Sequence, residues 1–176
     1  MSARYWVGGT AAWDATAGTK WALTSGGAGG QAVPTAADDV FFDANSGVNT
    51  VTVSSGNTGA LSVNCTGFTG TLAGTAALTV SGGITISAGM TFSYSGALTL
   101  AGTGSIISNS KPFNCPITIN GSGITVTLGD ALTVSSGGNF LISTGTFTTA
   151  NYNLTLTGST IFNSSAVGNI RAINLG

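Results

Sequence analysis

Residues 77–87 read ALTVSGGITIS and residues 97–100 read ALTL. Apolar and polar side chains alternate there with a period of two, and Gly or Ser punctuates each piece, which is the pattern of short, half-buried strands. The same grammar extends in both directions: VTVS at 51–54, ALSVN at 60–64, ITIN at 117–120, ITVTL at 124–128, ALTVS at 131–135 and NLTLT at 153–157. No window of helical period competes with it. Aligned on Leu61, Leu78, Leu98, Ile117, Leu132 and Leu154, the pieces recur after 17, 20, 19, 15 and 22 residues, a drifting repeat of about 19. Internal repeats of this length mark solenoids.

The predicted fold is therefore all-β, a β-helix-like solenoid of stacked coils of about 19 residues. Successive coils would lie about 4.8 Å apart through parallel hydrogen bonding, and six of them would make a rod on the order of 25–30 Å long. Leu, Val and Ile would face inward. Thr would face outward, where its β-branch favours the strand and its hydroxyl stays hydrated. Glycines at the corners, as in Ser81-Gly82-Gly83 and Ser136-Gly137-Gly138, are expected to supply positive φ. An antiparallel β-sandwich is the alternative, because the same alternation and turn spacing suit it. Cys65 and Cys115 would sit three coils apart, roughly 14 Å, beyond the Cα reach of a disulfide, and are expected to remain thiols.

The chain divides near residue 47. Residues 1–46 hold six of the nine charged side chains and six of the fourteen aromatic ones, and read as an N-terminal aromatic and Gly-rich cap or anchoring segment; residues 47–176 form the β-repeat body. From Ala44 to Gly176 only Lys111, Asp130 and Arg171 are charged. Charged residues make up 5% of the chain, against about 25% in an average soluble protein. With a net charge of −1 there is no electrostatic footprint for nucleic acid or an anionic membrane surface. The hydrophobic fraction of 42% argues for a folded chain. Apolar runs fall far short of the roughly 20 residues that span a bilayer. Met1 to Gly9 contains one basic residue and no apolar core to follow it, so it is not expected to act as a secretory signal.

Chemistry-bearing residues are few. Without His or Glu, neither a Ser-His dyad nor a His-based metal site is available, and no enzymatic activity and no cofactor are expected. Paired-carboxylate catalysis would need Asp39 with Asp43, or Asp38 with Asp14, to face each other across a cleft. Asp38, Asp39 and Asp43 are the candidates for Ca²⁺, since hard cations gather several carboxylate oxygens; their plainer role is to close one turn before a strand at Val40 and to open the next. Trp6, Trp13 and Trp21, with Phe41 and Phe42, are expected to cover the open first coil or to contact a partner, because a solenoid end is otherwise an unprotected edge. Stacking of the tryptophans on sugar rings is the second use of such residues. The Gly-rich loop at 25–30 lacks the Lys-Ser/Thr pair of a phosphate-binding loop and reads as a turn.

The pattern Tyr5-Trp6-Val7-Gly8-Gly9-Thr10, then Trp13, Trp21, Ser25-Gly26-Gly27-Ala28-Gly29-Gly30, Val33-Pro34-Thr35 and Asp38-Asp39-Val40-Phe41-Phe42-Asp43, resembles a segment of uncharacterised phage structural proteins and large bacterial surface β-repeat proteins. The resemblance covers about 40 residues and implies a structural or adhesive role, with no catalytic set to carry over. The expectation is a virion protein assembled in the host cytoplasm. It would decorate or cement the phage head as a homotrimer against the major capsid protein, with no nucleic-acid or membrane partner. The alternative is a tail fibre, tail spike or adhesin module that binds host-surface glycans.

Overall fold

The computed structural model describes residues 1–57, 59–135, 139–157, 162–163 and 171–175. Strands β1 (Ala3–Trp6), β2 (Ala11–Trp13), β3 (Trp21–Ala22) and β4 (Asp39–Phe41) open the chain, followed by a 3₁₀ turn at Ala44–Ser46. The repeat body continues with β5 (Thr50–Val53), β6 (Ser62–Asn64), β7 (Thr71–Gly74), β8 (Leu78–Val80), β9 (Ile84–Thr85), β10 (Thr91–Tyr94), β11 (Leu98–Leu100) and β12 (Gly104–Ile107). It closes with β13 (Ile117–Leu128), β14 (Leu132–Val134), β15 (Phe140–Thr148), β16 (Leu154–Leu156), β17 (Phe162–Asn163) and β18 (Arg171–Asn174).

Every pairing among the described residues is parallel except that of β3 with β1. A sandwich is built from antiparallel hairpins, so this pattern rules it out. The molecule is a β-solenoid of about five turns. Each turn visits up to three sides. One side carries β1, β4, β6, β9, β12, the second halves of β13 and β15, and β18. A second carries β2, β5, β7 and β10, and farther along β14 and β16, with Phe113 between: its ring lies 4.7 Å from that of Phe92 and its backbone bridges to Val134. The third carries β8, β11, the first halves of β13 and β15, and β17.

The registers show why the repeat drifts. On the first side Val40, Val63, Ile84, Ile106 and Leu128 stack in steps of 23, 21, 22 and 22 residues. On the third, Leu78, Leu98, Ile117 and Phe140 stack in steps of 20, 19 and 23. Leu132 pairs instead with Leu154 on the second side, so the Leu/Ile alignment along the sequence passed from one side to another between Ile117 and Leu132. The strands share one alternating pattern whichever side they occupy, while the corners between them vary in length.

Alternation along each strand builds the core. The members of these two columns are buried, while Thr79, the outward neighbour of Leu78, is exposed, and Thr99 and Thr118 continue its file. Positive φ occurs at turn glycines such as Gly47, Gly56 and Gly67, whereas the Gly82-Gly83 corner acts through space. Gly82 and Gly83 do not adopt positive φ, contrary to expectation; an added Cβ would stand 2.8 Å from the Leu61 carbonyl oxygen and 2.9 Å from that of Ser105. The coils approach too closely there for a side chain. Gly74 needs both freedoms, with φ of 125° and the Val53 backbone against its missing Cβ. The corner at Ser136-Gly137-Gly138 lies outside the described residues, as do residues 158–161, 164–170 and 176. Both cysteines are free and buried, as their spacing in the stack predicts.

Candidate functional site

The first coil concentrates the aromatic and charged side chains. β1 and β2 extend the first and second sides by parallel pairing with β4 and β5, and β3 then turns back antiparallel to β1, with Trp6 opposite Trp21. β3 is only two residues long, so the edge it leaves at this end is short. Beneath it Trp6, Trp13, Trp21 and Phe42 are fully buried. Trp21 meets Trp6 edge-on at 5.0 Å and Trp13 edge-on at 5.6 Å, while Phe42 lies 5.7–6.3 Å from all three indoles and from Phe68. Phe42 thus joins the cap to the next coil. Edge-to-face geometry suits the aromatic quadrupoles and adds about 0.5–1.5 kcal/mol per pair to the area buried.

The indole N–H groups divide. Trp6 Nε1 donates to the Gly9 carbonyl at 2.9 Å, whereas Trp13 Nε1 and Trp21 Nε1 are buried without a conventional acceptor. Both belong to the edge-to-face set, a geometry in which an indole N–H can rest on a neighbouring ring as a weak hydrogen bond. All three tryptophans are enclosed, and none of them presents an exposed face. Tyr5 and Phe41 differ. They stack on the outer surface at 4.7 Å and 15°, both half-buried, and are the part of the aromatic set that a partner can touch.

The acidic candidates are adjacent in sequence and separately engaged. Asp38 is buried and accepts hydrogen bonds from the Thr35 N–H at 3.0 Å, the Thr35 hydroxyl at 2.9 Å and the Ser2 N–H at 3.2 Å. Desolvation pushes its pKa up, but the Thr35 bonds, the Arg4 charge and the Ser2 bond outweigh it and hold the carboxyl below its ordinary value. Asp39 faces outward and accepts from the Ser62 hydroxyl. Asp43 caps the 3₁₀ turn, accepting from the Asn45 N–H while the Ser46 hydroxyl accepts from the Asp43 N–H. Asp14 pairs with Lys20 at 2.6 Å, and that bond, with the Thr16 N–H, lowers its pKa. The candidate pairs Asp39/Asp43 and Asp38/Asp14 therefore have their own partners, and no group of three or more His, Cys, Asp or Glu gathers around a metal position among the described residues.

The second polar feature has no counterpart in the motifs singled out from sequence. At the corner between the first and second sides, Asp130 accepts from the Ser108 N–H at 2.8 Å and the Asn109 N–H at 2.6 Å, and the Asn109 amide donates to the Ile86 carbonyl. Three coils are tied by side chains reaching along the stack. Asn109 and Ser110 take left-handed φ of 47° and 64°, and Ala150 and Asn151 do the same at 49° and 69°. The spacing of Asn109, Asp130 and Asn151, 21 residues each, was the available signal; it emerges only when polar corners are aligned separately from apolar strands.

Burial holds Cys65, Cys115 and Tyr94 in their neutral forms. The Cys65 thiol is pushed far up by complete desolvation and Cys115 up to about 12 by the same cause. Tyr94 is also raised, by burial first, and its hydroxyl donates toward the Ala76 carbonyl at 2.8 Å. An open hollow of about 480 Å³ on the second side is lined by Thr52, Ser54, Ser55 and Thr75 with Val53 and Gly74. Its polar groups are hydroxyls and backbone, beside the apolar side chains of Val53 and Ala76. Comparison with family models, with curated proteins and with solved structures gives no match.

Proposed function

We propose that this chain is a non-enzymatic structural protein of a phage virion, a decoration or cement protein on the outer surface of the head. It is assembled in the host cytoplasm and acts as a homotrimer against the major capsid protein. The observation that supports this reading is the surface of the repeat body: outward files such as Thr79, Thr99 and Thr118 on a parallel stack with three charged side chains in 133 residues. A neutral hydroxyl surface lets copies pack closely without like-charge repulsion. A ladder of parallel strands ties each coil to its neighbours through the backbone and resists local opening. The segment resemblance at residues 5–43 points the same way. The test is quantitative protein analysis of purified particles, where a copy number comparable to that of the shell protein is expected; absence from particles overturns it. Light scattering after size exclusion should give three times 17.2 kDa in low and high salt.

A second reading, a tail fibre, tail spike or adhesin module that binds host-surface glycans, rests on the half-exposed Tyr5–Phe41 stack beside Asp39 and Ser62. Glycan-array binding that disappears in Phe41→Ala supports that reading over decoration, and no binding at high protein concentration removes it.

A further inference from the structure

We infer that Asn120 is a site of spontaneous covalent modification, at which the chain acquires a carboxylate by loss of ammonia. Asn120-Gly121 is the only Asn-Gly pair in the sequence. In such a pair the backbone nitrogen of the glycine has no side chain in its way when it attacks the neighbouring amide carbon. The Gly121 nitrogen forms a bond to Asn120 Cγ, the bond from Cγ to the amide nitrogen breaks, and ammonia leaves with the proton that Gly121 gives up through solvent. Water then opens the five-membered imide at either carbonyl, giving aspartate or, with the backbone rerouted through the side chain, isoaspartate. The step consumes one water, releases one ammonia and needs no other reactant.

The surroundings of Asn120 favour this reaction over the asparagines whose side chains are engaged. Asn45, Asn49, Asn57 and Asn109 each donate a side-chain hydrogen bond, and Asn64 and Asn114 each accept one. Asn120 is exposed and its side chain makes none among the described residues. It also sits where β13 leaves its register with β15: Asn120 is opposite Thr144, and the next aligned pair is Thr125 with Thr146. Residues 121–124 on β13 thereby stand against Gly145 alone on β15, three residues in excess, a bulge at the bend between two sides of the solenoid. Gly123, at φ of 72°, has open space around it, and Ser122 is exposed. Gly121 itself packs against the Ala101 carbonyl oxygen and the Ile124 side chain, where only a residue without a Cβ fits, and the bulge beyond it can absorb the extra backbone atom of an isoaspartate. Each event takes the net charge from −1 to −2 on a surface with few charges to mask it.

The experiment is to hold the purified full chain at mildly alkaline pH and follow it by anion exchange, peptide mapping and isoaspartyl methyltransferase labelling, beside Asn120→Gln. The expected result is a more anionic species that grows with time and with pH, maps to Asn120 as both isomers, and is missing from Asn120→Gln. Two results overturn the inference: deamidation at Asn120 no faster than at Asn45, Asn57 or Asn109, or the same anionic species in Asn120→Gln.

Discussion

Leu132-Thr133-Val134 and Leu154-Thr155-Leu156 are nearly the same three residues, paired in register on the same side of the solenoid. Leu132 and Val134 are buried; Leu154 and Leu156 are half-buried. Around the second pair, Tyr152, Ile173 and Leu175 are also exposed and frame a hollow of about 400 Å³. The first coil differs, with antiparallel β3 lying over three enclosed indoles. Burial in this fold thus depends on the coil above and the coil below, and a strand's own sequence states only which face is apolar.

The sharpest way to break this comparison is to remove the residue that joins cap to body. Phe42→Ala should cost about 3–5 kcal/mol in chemical denaturation, since it deletes contacts with three tryptophans and Phe68 together. A loss below about 1 kcal/mol would mean that the cap does not stabilise the stack. Next in size is the matched pair itself: Leu132→Ala should cost about 2–5 kcal/mol, and Leu154→Ala less than the lower end of that range. Equal costs would contradict the neighbour-coil account.

Smaller again is a pH effect at the cap. The native pKa of Asp38 lies below its unfolded value of about 3.9, so its contribution is complete above that value and is lost as pH falls through the native one. Asp38→Asn should lower stability at neutral pH and flatten its decline in acid; an unchanged acid limb would show that Asp38 is not held as argued. Smallest is Lys20→Met, which should cost no more than about 1 kcal/mol, with the difference shrinking in salt, because the Asp14 partner remains partly exposed.

The part of the fold legible in sequence was the part governed by strand alternation. VTVS, ALTVS and ALTL declare an apolar face, and Gly and Ser declare corners, which suffices for parallel coils. The length of a coil was blurred because strands on different sides share one vocabulary, so Ile117 and Leu132 aligned by type while belonging to different sides. The cap was visible as spaced aromatics, but their enclosure followed from the reversal at β3, which no local pattern near Trp21-Ala22 announces. Asp38, Asp39 and Asp43 looked like a cluster because they are close in sequence; each has its own partners, Thr35 and Ser46 within one turn of the chain and Ser2 and Ser62 brought near only by folding.

The central claim is the register of the stack, and one pair of cross-links tests it directly. Thr79 and Thr99 are adjacent in the third side's outward file, about 4.8 Å apart, within disulfide range, whereas Thr79 and Thr118 are two coils apart and outside it. Both native cysteines are buried and should not compete. Under mild oxidation the double variant Thr79→Cys with Thr99→Cys should form an internal disulfide, and Thr79→Cys with Thr118→Cys should not. Failure of the first, or equally ready closure of the second, would contradict the solenoid register.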